Sequence, residues 1–282
     1  MSRADPLVVL TYPGHFLLTS LTIQSFLKHN KADSVYVIVD DLSRFCWPGY
    51  VDDCKQLYNN ATILLVSDLA PVALFTENPW IRQQIVKLHL DQLLPFDRWM
   101  FSDGDVEYFF PVPVDSIPFS IMRGGSTPHQ HNAYVAKLLG IDSPGIYTEH
   151  PDMDWEPGTT RHQVCVSNPP FRTMYAQILK QLRIHIETLH NQTVTQVHLT
   201  ESMASEWELI ANFQLLVLKN TVDLVYYPTI PMINPPLLRH VNQPDYCATC
   251  YNTDADFDRQ WWHSKGIDIS DQLWPTLSNI VR

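Results

Sequence analysis

The feature that most constrains this chain is a unit repeated through its first 110 residues: a short, unbroken apolar run, stopped by polar or acidic residues and followed by a helix-length segment. Pro6-Leu-Val-Val-Leu-Thr11 is the first run. Tyr12-Pro13-Gly14 closes it, and apolar residues of helical spacing follow from His15 to His29. Ser34-Val-Tyr-Val-Ile-Val39 is the second, and it ends in Asp40-Asp41. A short helix over 49–58 and a third strand, Thr62-Ile-Leu-Leu-Val66, come next. The spacing predicts a helix over 79–94, with Pro79 near its start and Pro95 beyond its end. Arg98-Trp-Met-Phe101 is the fourth strand, and it runs into Ser102-Asp103-Gly104-Asp105. Strands that are apolar at every position are buried on both faces. Alternated with helices, they predict an α/β fold of Rossmann type, a mostly parallel sheet flanked by helices. Ligands collect at the carboxyl ends of such strands, where Thr11-Tyr12, Asp40-Asp41 and Asp103–Asp105 all fall.

After Phe110 the pattern loosens. The sequence predicts a strand over 120–122, a short helix over 132–140 closed by Gly140, and a loop over 143–160 rich in Pro, Gly and acids. Longer helices are expected over 169–189 and 205–219, then a strand over 222–226 and a proline-rich extended crossover over 228–239. No repeat, low-complexity tract or interdomain linker divides the chain, so residues 1–282 read as one domain.

Charge and cysteine usage exclude several function classes. A net charge of -11 without a Lys/Arg cluster argues against a nucleic-acid surface. No apolar run reaches membrane-spanning length, and the first residues lack a secretory apolar core. Five cysteines, an odd number, favour reduced thiols and a cytoplasmic setting. Cys247-Ala-Thr-Cys250 has no second pair to complete a zinc site, and two Asn-x-Thr sequons carry little weight without a secretory signal.

Asp103 and Asp105 project to one face of an extended backbone, with Gly104 leaving the backbone open between them. Two hard anionic oxygens on one side suit a divalent cation of the Mg²⁺ type that also holds substrate phosphates. An exposed Asp-Gly turn gives the same residues, so the motif gains weight only from its neighbours.

Those neighbours resemble the nucleotide-sugar half of the GT-A class of glycosyltransferases. The order is strand, turn, helix; strand ending in Asp; Gln83-Gln-Ile-Val-Lys-Leu88; then Trp99-Met-Phe-Ser-Asp-Gly-Asp105, with Ser205-Glu-Trp-Glu-Leu209 later. The likeness is to small Asp-x-Asp members of that class and is best over residues 6–110. It implies a nucleotide-sugar-binding half over 1–110 and an acceptor-side half with a C-terminal extension over 111–282. The implied activity is transfer of a hexosyl or pentosyl group from a nucleoside-diphosphate donor, a UDP-sugar first, to a glycan or other hydroxyl, with Mn²⁺ or Mg²⁺. Thr11, Tyr12 and Asp40 or Asp41 would meet base and ribose, and Gln84 and Lys87 would share a helical face toward the donor. Asp40-Asp41 reads equally as a cap or turn. Asp105 would ligate the metal directly, and Asp103 the ribose or a metal-bound water. His263 is the implied further ligand and Lys265 a phosphate contact, although the fuller C-terminal motif of some relatives is missing.

Inverting transfer also needs a base for the attacking hydroxyl. Glu206 and Glu208 start a helix whose N-terminal dipole favours ionised carboxylates. Ser205-x-x-Glu208 also fits a capping box, which leaves Glu206 freer for chemistry. His129 and His131 are spaced to share a side and shape a sugar pocket. Trp155, Trp207, Trp261 and Trp262 suit either sugar stacking or core packing. The rival readings are a metal-dependent phosphohydrolase or nucleotidyltransferase, and a nucleotide-sugar-binding module without turnover.

Overall fold

The computed structural model of the chain describes residues 5–69, 76–112, 117–119, 134–142, 171–200, 206–219, 224–226, 229–233, 248–251, 259–264 and 266–267. Its centre is a five-stranded sheet. The strands in chain order are β1 (Leu7–Thr11), β2 (Val35–Val39), β3 (Thr62–Leu65), β4 (Arg98–Asp103) and, after two short strands, β7 (Phe171–Tyr175). In space they run β3-β2-β1-β4-β7, the first four parallel and β7 antiparallel to β4.

Both faces of this sheet are covered, which is why its strands lack polar alternation. Val8, Leu10, Trp99 and Phe101 point into one core cluster with Leu182 and Ile186. Leu7, Val9 and Met100 point the other way, toward Phe26. Val37 and Val39 join Phe16, Leu18, Tyr50 and Trp262 in a third cluster. Helix α1 (Phe16–His29) covers the second face, while α3 (Pro79–Lys87) and α6 (Ala176–His190) supply Val86, Leu182 and Ile186 to the first. Between these lie α2 (Tyr50–Leu57), α4 (Leu90–Leu93) and a short helix, α5, at 134–139.

From β1 the chain steps to β2 on one side and later to β4 on the other. The order therefore reverses between β1 and β4, and their carboxyl ends border the crevice left at that switch point. The register pairs Leu10 with Asp103 and Thr11 with Val39, so all three polar strand ends open on one edge.

Beyond β4, strand β5 (Val106–Tyr108) lies on α1: the amides of Val106 and Tyr108 donate to the hydroxyls of Thr22 and Ser25 at 3.0 and 3.1 Å. β5 also pairs antiparallel with β10 (Ala248–Tyr251), itself parallel to β9 (Thr229–Ile233). A separate parallel pair joins β6 (Ile117–Phe119) to β8 (Leu224–Tyr226). The remaining helices are α7 (Val194–Thr200), α8 (Glu206–Asn212), which continues as a π-helical turn to Val217, and α9 (Arg259–Ser264). None of the described helices is long and apolar enough to cross a membrane.

The structure corrects three expected elements. Residues 171–175, expected as the start of a helix, form β7, because Phe171–Tyr175 satisfies the free edge of β4 before the helix begins at Ala176. The helix expected over 79–94 breaks at Leu88-His89, where the His89 ring bonds back to the Ile85 carbonyl at 2.8 Å. The crossover expected over 228–239 contains a regular strand at 229–233, on the edge of the smaller sheet, where proline is tolerated. The strand expected at 120–122 and the loop at 143–160 lie outside the described residues.

Candidate active site

Asp103 is the last residue of β4, and the chain turns there through Gly104 and Asp105. Glycine is required by contact: a Cβ at Gly104 would lie 2.5 Å from Thr19 Oγ1 and 2.7 Å from the Leu10 carbonyl oxygen. Thr19 Oγ1 sits 2.8 Å from Thr11 Oγ1 and 3.2 Å from the Gly104 carbonyl. Helix α1 thus ties the ends of β1 and β4 together behind the two aspartates.

The chemistry gathers around Lys87. Its Nζ, at the end of α3, is 2.6 Å from Asp103 Oδ1 and 2.6 Å from Glu206 Oε1, the first residue of α8. The ammonium also lies 4.6 Å from the centre of the Trp207 ring, whose Nε1 is turned toward Asp103 Oδ2 at 3.4 Å. Burial alone would push the Lys87 pKa down; the two carboxylates outweigh it and hold the ammonium above the ordinary lysine range. Burial raises Asp103, an effect that Lys87 opposes. Asp105 is pushed up to about 7, first by burial and then by the charge of Asp103.

His15 closes the other side of Asp105, with Nε2 3.7 Å from Asp105 Oδ2 and 3.0 Å from the Tyr12 hydroxyl. Burial, helped by the charge of Lys87, lowers its pKa to about 3. The imidazole is therefore neutral at pH 7, and its contact with Asp105 is not an ion pair.

Not every expected residue joins this cluster. Asp40 is buried and held bidentately by Arg82, whose Nε and Nη2 lie 2.9 to 3.1 Å from its oxygens. Arg82 is in turn fixed to the Thr76 carbonyl. Asp40 therefore serves as an internal anchor between β2 and α3. Asp41 accepts from the Ser67 amide at 3.0 Å and remains partly accessible. Thr11 and Gln84 are buried, and Tyr12 is partly exposed. Glu208 is buried on α8, but two residues from Glu206 means a rotation of roughly 200° around the helix, so only Glu206 meets Lys87. His263 is exposed on α9. Trp207 and Trp262 are packing residues, both inside core clusters. Lys265, Ser205, His129, His131 and Trp155 lie outside the described residues, as does the Trp261 side chain.

Two residues of the site carried no sequence signal. His15 stood only as the first residue of a segment with helical spacing. Arg172 sat in a stretch with helical spacing; β7 brings it opposite Phe101, with its guanidinium 4.6 Å from the Trp207 ring.

The donor set suits an oxygen-preferring divalent cation. Two carboxylates flank a glycine, and burial first, then the charge of Asp103, pushes Asp105 up to about 7. Among the described residues no three His, Cys, Asp or Glu side chains stand together to hold a metal. A pair of aspartates is an arrangement that hard cations accept when phosphates complete the shell.

No protein-family model and no curated protein matches the chain. Solved structures do match in fold. The galactosyltransferase LgtC in complex with donor and acceptor sugar analogs aligns at TM-score 0.51 and 9% identity, over 96% of this chain and 99% of that one. An active-site mutant of LgtC gives TM-score 0.51 at 8% identity. The bifunctional glycosyltransferase WbbM in its apo form aligns at TM-score 0.50 and 10% identity, over all of this chain and 50% of its own. The sheet order, the antiparallel β7 edge and these alignments together give the chain the GT-A-like fold of glycosyltransferases.

Proposed function

We propose that the protein transfers a sugar from a nucleoside-diphosphate donor, a UDP-sugar first, to a hydroxyl of a glycan or other acceptor. The observation that carries this reading is the aspartate pair at the β1/β4 switch point, of which Asp103 is held by a lysine that also holds Glu206. Similarity of fold to LgtC, which binds donor and acceptor sugar analogs, supports it further.

In this reading Asp103 and Asp105 hold a divalent cation, Mn²⁺ or Mg²⁺. When bound, it supplies Lewis-acid neutralisation of charge on the departing diphosphate. Thr11, Tyr12 and Asp41, at the neighbouring strand ends, line the nucleotide side. His263 and Lys265 belong to the same proposal as a further metal ligand and a phosphate contact from the C-terminal segment.

Lys87 fixes Asp103 and Glu206 relative to each other in a buried setting where the two carboxylates would otherwise repel. Glu206 then takes the proton of the attacking hydroxyl as the new glycosidic bond forms and the bond to the diphosphate breaks, with inversion at the sugar carbon. The test is Glu206→Gln. Donor affinity is expected within about threefold of wild type, with transfer reduced by about 100-fold or more, the range for loss of a general base. Unchanged transfer would remove Glu206 from the mechanism and favour retention.

A further inference from the structure

Arg172 is an anomaly in a protein interior. Only 3% of it is exposed, and none of its three guanidinium nitrogens has a hydrogen-bond partner among the described residues. A buried guanidinium normally sits in a carboxylate or carbonyl cage, because an uncompensated buried charge is strongly unfavourable. Here the nearby acids, Asp103 and Glu206, have Lys87 at 2.6 Å instead. Burial accordingly lowers the Arg172 pKa to about 10, which still leaves it charged at pH 7.

Its setting is a specific one. β7 pairs Arg172 with Phe101, so both side chains rise from the same face of the sheet behind Asp103. The guanidinium lies 4.6 Å from the indole of Trp207, and the Phe101 ring meets that indole edge-on at 5.2 Å. An aromatic contact of this kind holds the cation while leaving its N–H edge without an acceptor. Arg172 shares the Trp207 ring with Lys87, each 4.6 Å from its centre, and feels the charges of both Glu206 and Asp103.

We propose that Arg172 is the seat for an oxyanion carried on the sugar side of the substrate, a carboxylate first, so that the enzyme handles an acidic sugar. This rests on the nucleotide-sugar reading for where the sugar lies, while the unpaired guanidinium stands independently of it. The planar N–H fork of arginine matches a carboxylate bidentately, and entry of that group supplies the hydrogen bonds the fold leaves unmade. A neutral sugar leaves Arg172 as it is. The acid lies either on the transferred sugar or on the acceptor.

The experiment titrates wild type, Arg172→Met and Arg172→Lys calorimetrically, in the presence of Mn²⁺, with UDP-glucuronate, UDP-glucose and UDP. Methyl glucuronide and methyl glucoside, with and without UDP, are added as thermal-shift ligands. Wild type is expected to favour the acidic member of one pair by roughly 10- to 100-fold, the range of a charge-assisted hydrogen-bond pair. A preference within the UDP-sugars puts the acid on the donor, and a preference within the glycosides puts it on the acceptor. Arg172→Met should reduce the ratio to near one, and Arg172→Lys should keep part of it. If UDP binds and wild type shows no acidic preference, the proposal is overturned while the nucleotide-sugar reading stands. If no nucleotide binds but methyl glucuronide protects wild type and not Arg172→Met, the proposal holds and that reading falls. A preference that survives in Arg172→Met overturns the assignment to Arg172.

Discussion

Replacing Lys87 with methionine is the perturbation whose cost the structure defines most closely. Lys87 makes two contacts of 2.6 Å, to Asp103 and Glu206, with the ammonium and the Glu206 carboxylate both buried. At an effective dielectric of about 20, each contact contributes roughly 6 kcal/mol of Coulomb attraction, and desolvation of the ions offsets most of the sum. What remains on removing one partner is the penalty of stranded charge, about 3–5 kcal/mol for a buried pair. Methionine fills a similar volume, so packing adds little. The pH dependence gives a second handle. Asp103, already raised by burial, loses the cation that opposes the shift and moves further up. A carboxyl raised in the folded state costs nothing below its unfolded pKa of about 4 and costs progressively more as pH rises through its folded pKa. Urea unfolding followed by tryptophan fluorescence should therefore show a loss of about 3–5 kcal/mol near pH 7.5 and a clearly smaller loss near pH 5. Adding Glu206→Gln to the variant should recover part of it. A loss below about 1 kcal/mol, or an equal loss at both pH values, would refute Lys87 as the clamp.

Three more outcomes follow from the same geometry. Because Asp105 is raised to about 7, the metal-free protein should lose stability as pH rises from about 4 to about 7, by an amount on the order of a few kcal/mol. Asp105→Asn should flatten that slope in urea titrations and remove the stabilisation that Mn²⁺ gives wild type above pH 7. Gly104→Ala places a methyl carbon 2.7 Å from the Leu10 carbonyl, so thermal unfolding should register a loss of about 1–3 kcal/mol together with weakened UDP binding. Asp40→Asn strands buried Arg82 and should cost about 3–5 kcal/mol in unfolding experiments. Its UDP affinity, measured on the folded fraction, should stay near wild type. A large loss of affinity would return Asp40 to the nucleotide site.

The parts of the fold that follow from local chemistry could be read from the residues. Leu7, Val8, Val9 and Leu10 are buried alternately in opposite clusters, and that two-sided burial produces an apolar run without alternation. The acids at strand ends could be read for the same reason, since Asp103 and Asp40 stop such runs abruptly. Their partners could not. Asp40 finds Arg82 42 residues on, and Lys87 finds Glu206 119 residues on, distances at which no spacing rule operates. β7 was hidden because Phe171–Tyr175 enters its helix at Ala176 without a glycine or proline between, and only the edge of β4 makes it a strand. With β7 hidden, Arg172 had no place near Trp207, and the one cation of the site without a hydrogen-bonded anion among the described residues went unnoticed.

Calorimetric titration of UDP into wild type and Asp105→Asn, each with and without Mn²⁺, tests the central claim most directly. Binding to wild type should depend on Mn²⁺ and weaken by about 100-fold or more in Asp105→Asn, comparable to losing a buried charged partner. Equal UDP binding with and without Mn²⁺, or undiminished binding to Asp105→Asn, would contradict it.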